Sequence, residues 1–123
     1  MTSQTLVARE AKAFVPARDF DTSRHFYGEL GFVEEWCEGD LACFRHGSAA
    51  FLLQHYYVAE HTNNFMMHLL VERVDAWYEH AARVAAAFGT RADAPVDQPW
   101  GLRDFALFDP SGVLWRIAEP LAE

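Results

Sequence analysis

The 123-residue chain predicts an α+β fold built from two tandem βαβββ modules. Three observations predict it. Apolar residues keep helical spacing in two stretches, around residues 20–30 and 74–88. Each stretch is preceded by one short strand-like run and followed by three. A polar break, His61-Thr62-Asn63-Asn64, separates the two sets. Module one covers about 11–57 and module two about 65–120 of a single domain. A ferredoxin-like α+β domain is the competing arrangement of such elements.

The elements follow in order. Ala11–Arg18 centres on Phe14 and Val15 and reads as the first strand. Its Pro16 donates no amide hydrogen bond, which suits an edge or terminal strand. Asp19 or Asp21 caps a helix that places Phe20, Ser23, Tyr27 and Leu30 on one side. Gly31 stops that helix, as a left-handed C-terminal residue does. Phe32–Cys37, Ala42–His46 and Ala50–Tyr56 read as three strands, with turns at Gly39-Asp40 and Gly47-Ser48.

After the break, Phe65–Glu72 is apolar and strand-like. Val74, Trp77, Tyr78, Ala81, Val84, Ala85 and Phe88 keep helical spacing, with Asp75 in the first turn and Gly89 at the end. Arg91–Val96 is a weak strand. Leu102–Phe108 and Val113–Glu119 are stronger ones, joined by Asp109-Pro110-Ser111-Gly112. Pro presets one turn dihedral there and Gly supplies the positive φ.

Composition narrows the function. The chain is 51% hydrophobic and 15% aromatic, enough to fill a core without disulfides. A net charge of −8 offers little to phosphate backbones and excludes a nucleic-acid partner. The same charge is what an ordinary acidic protein carries, and it is also one that attracts a cationic ligand. Cys37 and Cys43 lack CxxC spacing and fall in apolar strands, so both are expected as buried free thiols in a reducing compartment. No apolar run approaches the roughly 20 residues of a membrane span. Met1–Glu10 lacks the apolar stretch of a signal peptide, and a cytoplasmic protein is expected. Ser23, Ser48 and Ser111 sit at helix or turn positions, with no Ser-His-Asp or Cys-His pairing in view. No catalytic residue is expected.

Two stretches carry a family resemblance. Pro16–Phe32, PARDFDTSRHFYGELGF, resembles the first strand and helix of vicinal oxygen chelate proteins. Asp97–Glu119, DQPWGLRDFALFDPSGVLWRIAE, resembles the closing strands of bleomycin-resistance proteins in that superfamily. Pro99-Trp100-Gly101, followed by the aromatic strand and the Asp-Pro-x-Gly turn, is its most specific part. The resemblance implies a cupped mixed β-sheet and a homodimer whose modules jointly form two ligand crevices. It further implies sequestration of a bleomycin-like cationic aromatic antibiotic, with no bond made or broken. A metal-dependent lyase or dioxygenase, and a binder of another metabolite, are the alternatives the superfamily holds.

The metal-dependent members place His, Glu or Gln in four strands. By that resemblance the positions fall at Lys12, within Phe51–Leu53, at about Met66 and at Arg116. Two cationic and two apolar residues offer a divalent ion no donors, so no cofactor is expected. A slip of two residues would bring His68 onto the site. His55, His61 and His68 form no triad, because His61 lies in the linker.

The candidate ligand contacts are aromatic and strand-borne. Trp100, between Pro99 and Gly101, reads either as a stacking wall for a planar ligand or as a core or dimer-interface Trp, and the resemblance implies ligand contact. Trp36, Phe44, Phe51, Leu53 and Tyr56 alternate along the strands of module one, and Trp115 sits in module two. Period 2 sends one face to the core and the other to the cup without saying which. Tyr56 and Tyr57 point opposite ways. His68 shares a face with Met66 and Leu70; a core position is its first expectation and a cup-lining one its second. Glu34, Glu35, Glu38 and Asp40 read as a solvated hairpin, or as partners for ligand ammonium groups.

Overall fold

The computed structural model describes residues 5–122. The expectation for Met1–Glu10 rests partly on residues outside that range. Module one runs β1 (Phe14–Ala17), α1 (Phe20–Leu30), β2 (Val33–Glu38), β3 (Leu41–His46) and β4 (Ala49–His55). A short helix α2 (Ala59–Thr62) occupies the linker read from the sequence. Module two runs β5 (Met66–Leu70), α3 (Val74–Ala87), β6 (Val96–Asp97), β7 (Leu102–Phe108) and β8 (Leu114–Pro120).

The same wiring occurs twice. One sheet has the order β1-β4-β3-β2 and the other β5-β8-β7-β6. The first strand of each module lies parallel to the last, and the other neighbours are antiparallel. Two such sheets, rather than one ferredoxin-like sheet, are the duplicated architecture the element order predicts.

Local chemistry sets the helix ends. Asp19 is the N-cap of α1, its Oδ1 accepting from Thr22 N at 3.1 Å. Gly31 follows the last turn at φ 123°, a conformation that needs glycine. The start of α3 has no cap of its own, since Arg73 lies before it at φ 60°. Glu119 on β8 takes over, its Oε1 accepting from Val74 N at 3.0 Å. The weak strand Arg91–Val96 shrinks to a bridge between Ala92 and Leu107 and the two residues of β6. Pro95, which has no N–H, interrupts the ladder between them.

Both helices pack on one face of their own sheets and touch each other. These inner faces share one core. Phe51 and Trp115 meet across the modules with ring centroids 5.3 Å apart, and Tyr27 lies 5.7 Å from Trp115. A buried polar link joins the modules at the same place. Tyr27 Oη donates to Asp109 Oδ2 at 2.5 Å and accepts from Trp115 Nε1 at 2.8 Å. Asp109 Oδ1 accepts from the amides of Ser111 and Val113, both at 2.9 Å, so the hairpin turn is held from inside. Burial raises the Asp109 carboxyl above its ordinary range, against the lowering effect of the Tyr27 hydrogen bond. Burial, then the charge of Asp109, raises the Tyr27 hydroxyl well above its ordinary value.

Candidate functional site

The structure fixes the strand parity that the sequence leaves open. Phe51 and Leu53 on β4 and Trp115 on β8 are buried in the shared core. Phe44 lies with them. This corrects the expectation that Phe51, Leu53 and Trp115 line a cup: their side of each sheet is covered by the helices and the other module. Their alternate neighbours face outward, and these make the candidate site.

On the first sheet, pairing places Phe14, Leu52, Cys43 and Trp36 in one cross-strand row. Phe14 is 52% exposed and Trp36 46%. A register shift between Glu34 and Trp36 shapes the edge strand. Glu34 turns to α1, where Arg24 Nε donates to it at 2.9 Å. Glu35 turns to the row's side, where Arg45 Nε donates to it at 3.2 Å. Arg45 Nη2 also donates to Glu10 at 2.8 Å, and Lys12 pairs with the same carboxylate. Hydrogen bonds from Lys12, then from Arg45, hold Glu10 below the usual carboxylate range. Of the acidic hairpin cluster, Glu34 and Glu35 therefore already have partners, and Asp40 lies 3.6 Å from His55 Nδ1. Glu38 shares the outward face with Trp36, two residues along an edge strand.

On the second sheet the outward residues of β5 are Met66, His68 and Leu70. Met66 and Leu70 are each 59% exposed, and His68 is exposed between them. The core position first expected for His68 does not hold; β5 is an edge strand, and its outward side chains Met66, His68 and Leu70 are exposed. His68 is paired in register with Arg116, and Arg116 with Ala106. Arg116 Nη1 lies 3.6 Å from Asp104 Oδ1, which also accepts from Gln98 Nε2 at 3.0 Å. Asp104 is nearly buried, so these two donors satisfy a charge removed from water.

Trp100 is 65% exposed at the tip of the β6–β7 connection. Gly101 next to it has φ 90°; its N–H donates to Gln98 O at 3.2 Å and its carbonyl accepts from Leu121 N at 2.9 Å. The turn is thus held while the indole stands free. Tyr56 is half-exposed just after β4, opposite Ala17. Tyr57 lies under the Arg18 guanidinium at 5.6 Å. Cys43 is buried as expected, whereas Cys37 on the edge strand β2 is exposed, which corrects that half of the thiol expectation. Burial, then the hydrogen bond to Glu35, raises the Cys43 thiol.

The outward faces therefore unite Trp36 with Phe14 and Leu52, and His68 with Met66, Leu70 and Arg116. Phe14, Leu52, Met66 and Leu70 were not singled out as contacts by the sequence, although they share the parity of Trp36 and His68. The same positions test a divalent metal. Lys12 is paired with Glu10, Leu52 is the outward residue of Phe51–Leu53, and Arg116 stands beside His68. Among the described residues no three His, Cys, Asp or Glu side chains converge. An ammonium beside an apolar strand on one sheet, and a guanidinium beside a single imidazole on the other, do not fit a divalent ion.

Residues 10–117 match the family model of the Glyoxalase/Bleomycin resistance protein/Dioxygenase superfamily. The chain belongs to this superfamily. Its fold is the one shared by a bleomycin-binding protein solved with bleomycin, at a TM-score of 0.78 and 25% identity over 91% of this chain and 98% of that one. A bleomycin-binding protein from Streptomyces verticillus, solved with copper(II)-bleomycin, aligns at 0.74 with 22% identity over 96% and 100%. Lactoylglutathione lyase from Agrobacterium tumefaciens aligns at 0.70 with 18% identity over 92% and 95%. No curated protein matches the sequence. Superfamily members of both kinds, binder and enzyme, thus share this backbone.

Proposed function

We propose that the chain is a non-catalytic binding protein that sequesters a bleomycin-like antibiotic in crevices formed between two copies of itself. The observation that carries this reading is the pair of outward sheet faces. Each leaves large apolar side chains about half exposed or more, Phe14 and Trp36 on one and Met66 and Leu70 on the other. Contiguous apolar groups left in water mark an interaction surface. Trp36 and Trp100 offer indole faces to a flat ligand, with Tyr56 as a further aromatic contact. Glu38 and the overall acidity supply charge complementarity to a cation. The likeness to the bleomycin-binding proteins supports the choice of ligand.

Titration of the chain with bleomycin, followed by tryptophan fluorescence, tests the reading. Saturable quenching is expected at micromolar ligand. No change up to about 100 μM would overturn the bleomycin assignment, because sequestration needs affinity well below that.

A second reading, a metal-dependent lyase or dioxygenase, is favoured by one observation, the exposed imidazole of His68 on the outward face. It requires about one transition-metal ion per chain, lost on His68→Ala. Elemental analysis of the purified chain decides between the two.

A further inference from the structure

We propose a second binding site, for a small flat organic cation of the amidinium class, in the groove between the end of α1 and the first turns of α3. It lies on the helix side of the molecule and meets the outward faces only at the free edge of β5.

The groove has a hollow of about 280 Å3 lined by Leu30, His46, Ala76, Trp77 and His80. Through His46 and Trp77 it continues into a larger one, of about 550 Å3, with Ser48, His68 and Glu72 on its walls. The two histidines come from different modules, His46 from the end of β3 and His80 from α3.

Each ring is oriented by a hydrogen bond. His46 Nδ1 lies 3.1 Å from the Gly31 carbonyl, and His80 Nε2 lies 2.9 Å from the Glu29 carbonyl. A carbonyl only accepts, so both of those ring nitrogens carry hydrogen. In the neutral rings the remaining nitrogens, Nε2 of His46 and Nδ1 of His80, are lone-pair acceptors. Both histidines line the groove, so a ligand with N–H donors is the one they suit.

The electrostatics call for a positive one. The two carbonyls belong to the C-terminal end of α1, where the helix dipole is negative, and no basic residue occupies that last turn. Trp77 stands perpendicular to His46, at 83° and 5.2 Å between centroids, and gives the hollow an indole wall. An indole face attracts a cation. Glu72 is exposed on the wall of the larger hollow and can pair with it. Arg83 and Glu29 line an adjoining hollow that shares His80, while Glu72 lines the hollow at the other end of the groove. Leu30 and Ala76 complete an apolar floor. A planar amidinium meets all of these at once: donors for the imidazoles, charge for Glu72, and a flat apolar body for Trp77.

The test is a titration of the 15N-labelled full chain with benzamidine, with neutral benzamide as control. Signals of the Trp77 indole and of the Leu30, Ala76 and His80 amides are followed. Saturable shifts confined to these residues and to the other contacts, His46 and Glu72, are expected, with a Kd on the order of 1 mM and binding of benzamide at least fivefold weaker. Glu72→Gln, an exposed change that leaves packing intact, is expected to weaken benzamidine severalfold, as is His46→Gln. Equal response to benzamide, shifts scattered over the surface, or no saturation by about 20 mM overturns the proposal. So does an unchanged Kd in both variants.

Discussion

Phe51 and Leu52 are neighbours on one strand, yet they belong to different problems. Phe51 packs on Phe44, Tyr27 and Trp115 in the core the modules share, whereas Leu52 stands in an outward row with Phe14, Cys43 and Trp36. The same division runs through β8, where Trp115 is inward and Arg116 outward beside His68. The inner faces are closed by helices and by each other. The outer faces leave Phe14, Trp36, Met66 and Leu70 about half exposed or more among the described residues. The difference separates the side chains that hold the fold from those free to meet a ligand or a second chain, and it can be broken or sharpened by substitution on each side.

The largest effect belongs to the inner face. Trp115→Ala removes a buried indole and the donor to Tyr27, and is expected to cost about 3–5 kcal/mol in denaturant unfolding. A loss below about 1 kcal/mol would mean that the modules do not share a core there. Next comes the polar link behind it. Asp109→Asn keeps one acceptor oxygen where the carboxylate has two, so with that oxygen on the Ser111 and Val113 amides Tyr27 faces a donor, and the change is expected to cost about 1–3 kcal/mol. Asp109 has a raised carboxyl in the folded chain, so its contribution is greatest below the ordinary value of 3.8 and declines as pH rises through the folded value. Unfolding curves should therefore show the gap between wild type and Asp109→Asn narrowing from pH 4 toward pH 7; a widening gap contradicts the account.

The outward substitutions invert the pattern. Trp36→Ala should change stability by no more than about 0.5 kcal/mol. It should weaken bleomycin about tenfold, or about 1.4 kcal/mol, in a fluorescence titration that retains the Trp100 signal. Arg116→Gln gives the smallest effect. Its partner Asp104 keeps Gln98 as a donor, so a loss of about 0.5–1 kcal/mol in thermal unfolding is expected.

Much of the architecture was legible in the sequence because it rests on local chemistry. Asp19 and Gly31 bound α1 as read, and Asp109-Pro110-Ser111-Gly112 turns the last hairpin as read. What the sequence could not show is which parity faces inward. Trp36 and Phe51 give the same alternating signal, and only the packing of α1 and of β8 assigns Phe51 to the core. The register shift beside Glu35 adds a local break that alternation does not mark. His68 looked like a core residue because its neighbours are apolar; the exposed outer face of the edge strand β5 puts it in water. For Trp100 the sequence leaves stacking and burial both open, and the 65% exposure of its indole beside Gly101 at φ 90° is a feature of the folded turn.

The central claim is that the outward faces of two copies form a bleomycin-binding crevice without a resident metal. Calorimetric titration of the chelator-treated chain with metal-free bleomycin tests it most directly. The account predicts one bleomycin bound per chain with a Kd at or below about 1 μM. Absence of binding heat, or binding that appears only after a transition metal is restored to the protein, would contradict it.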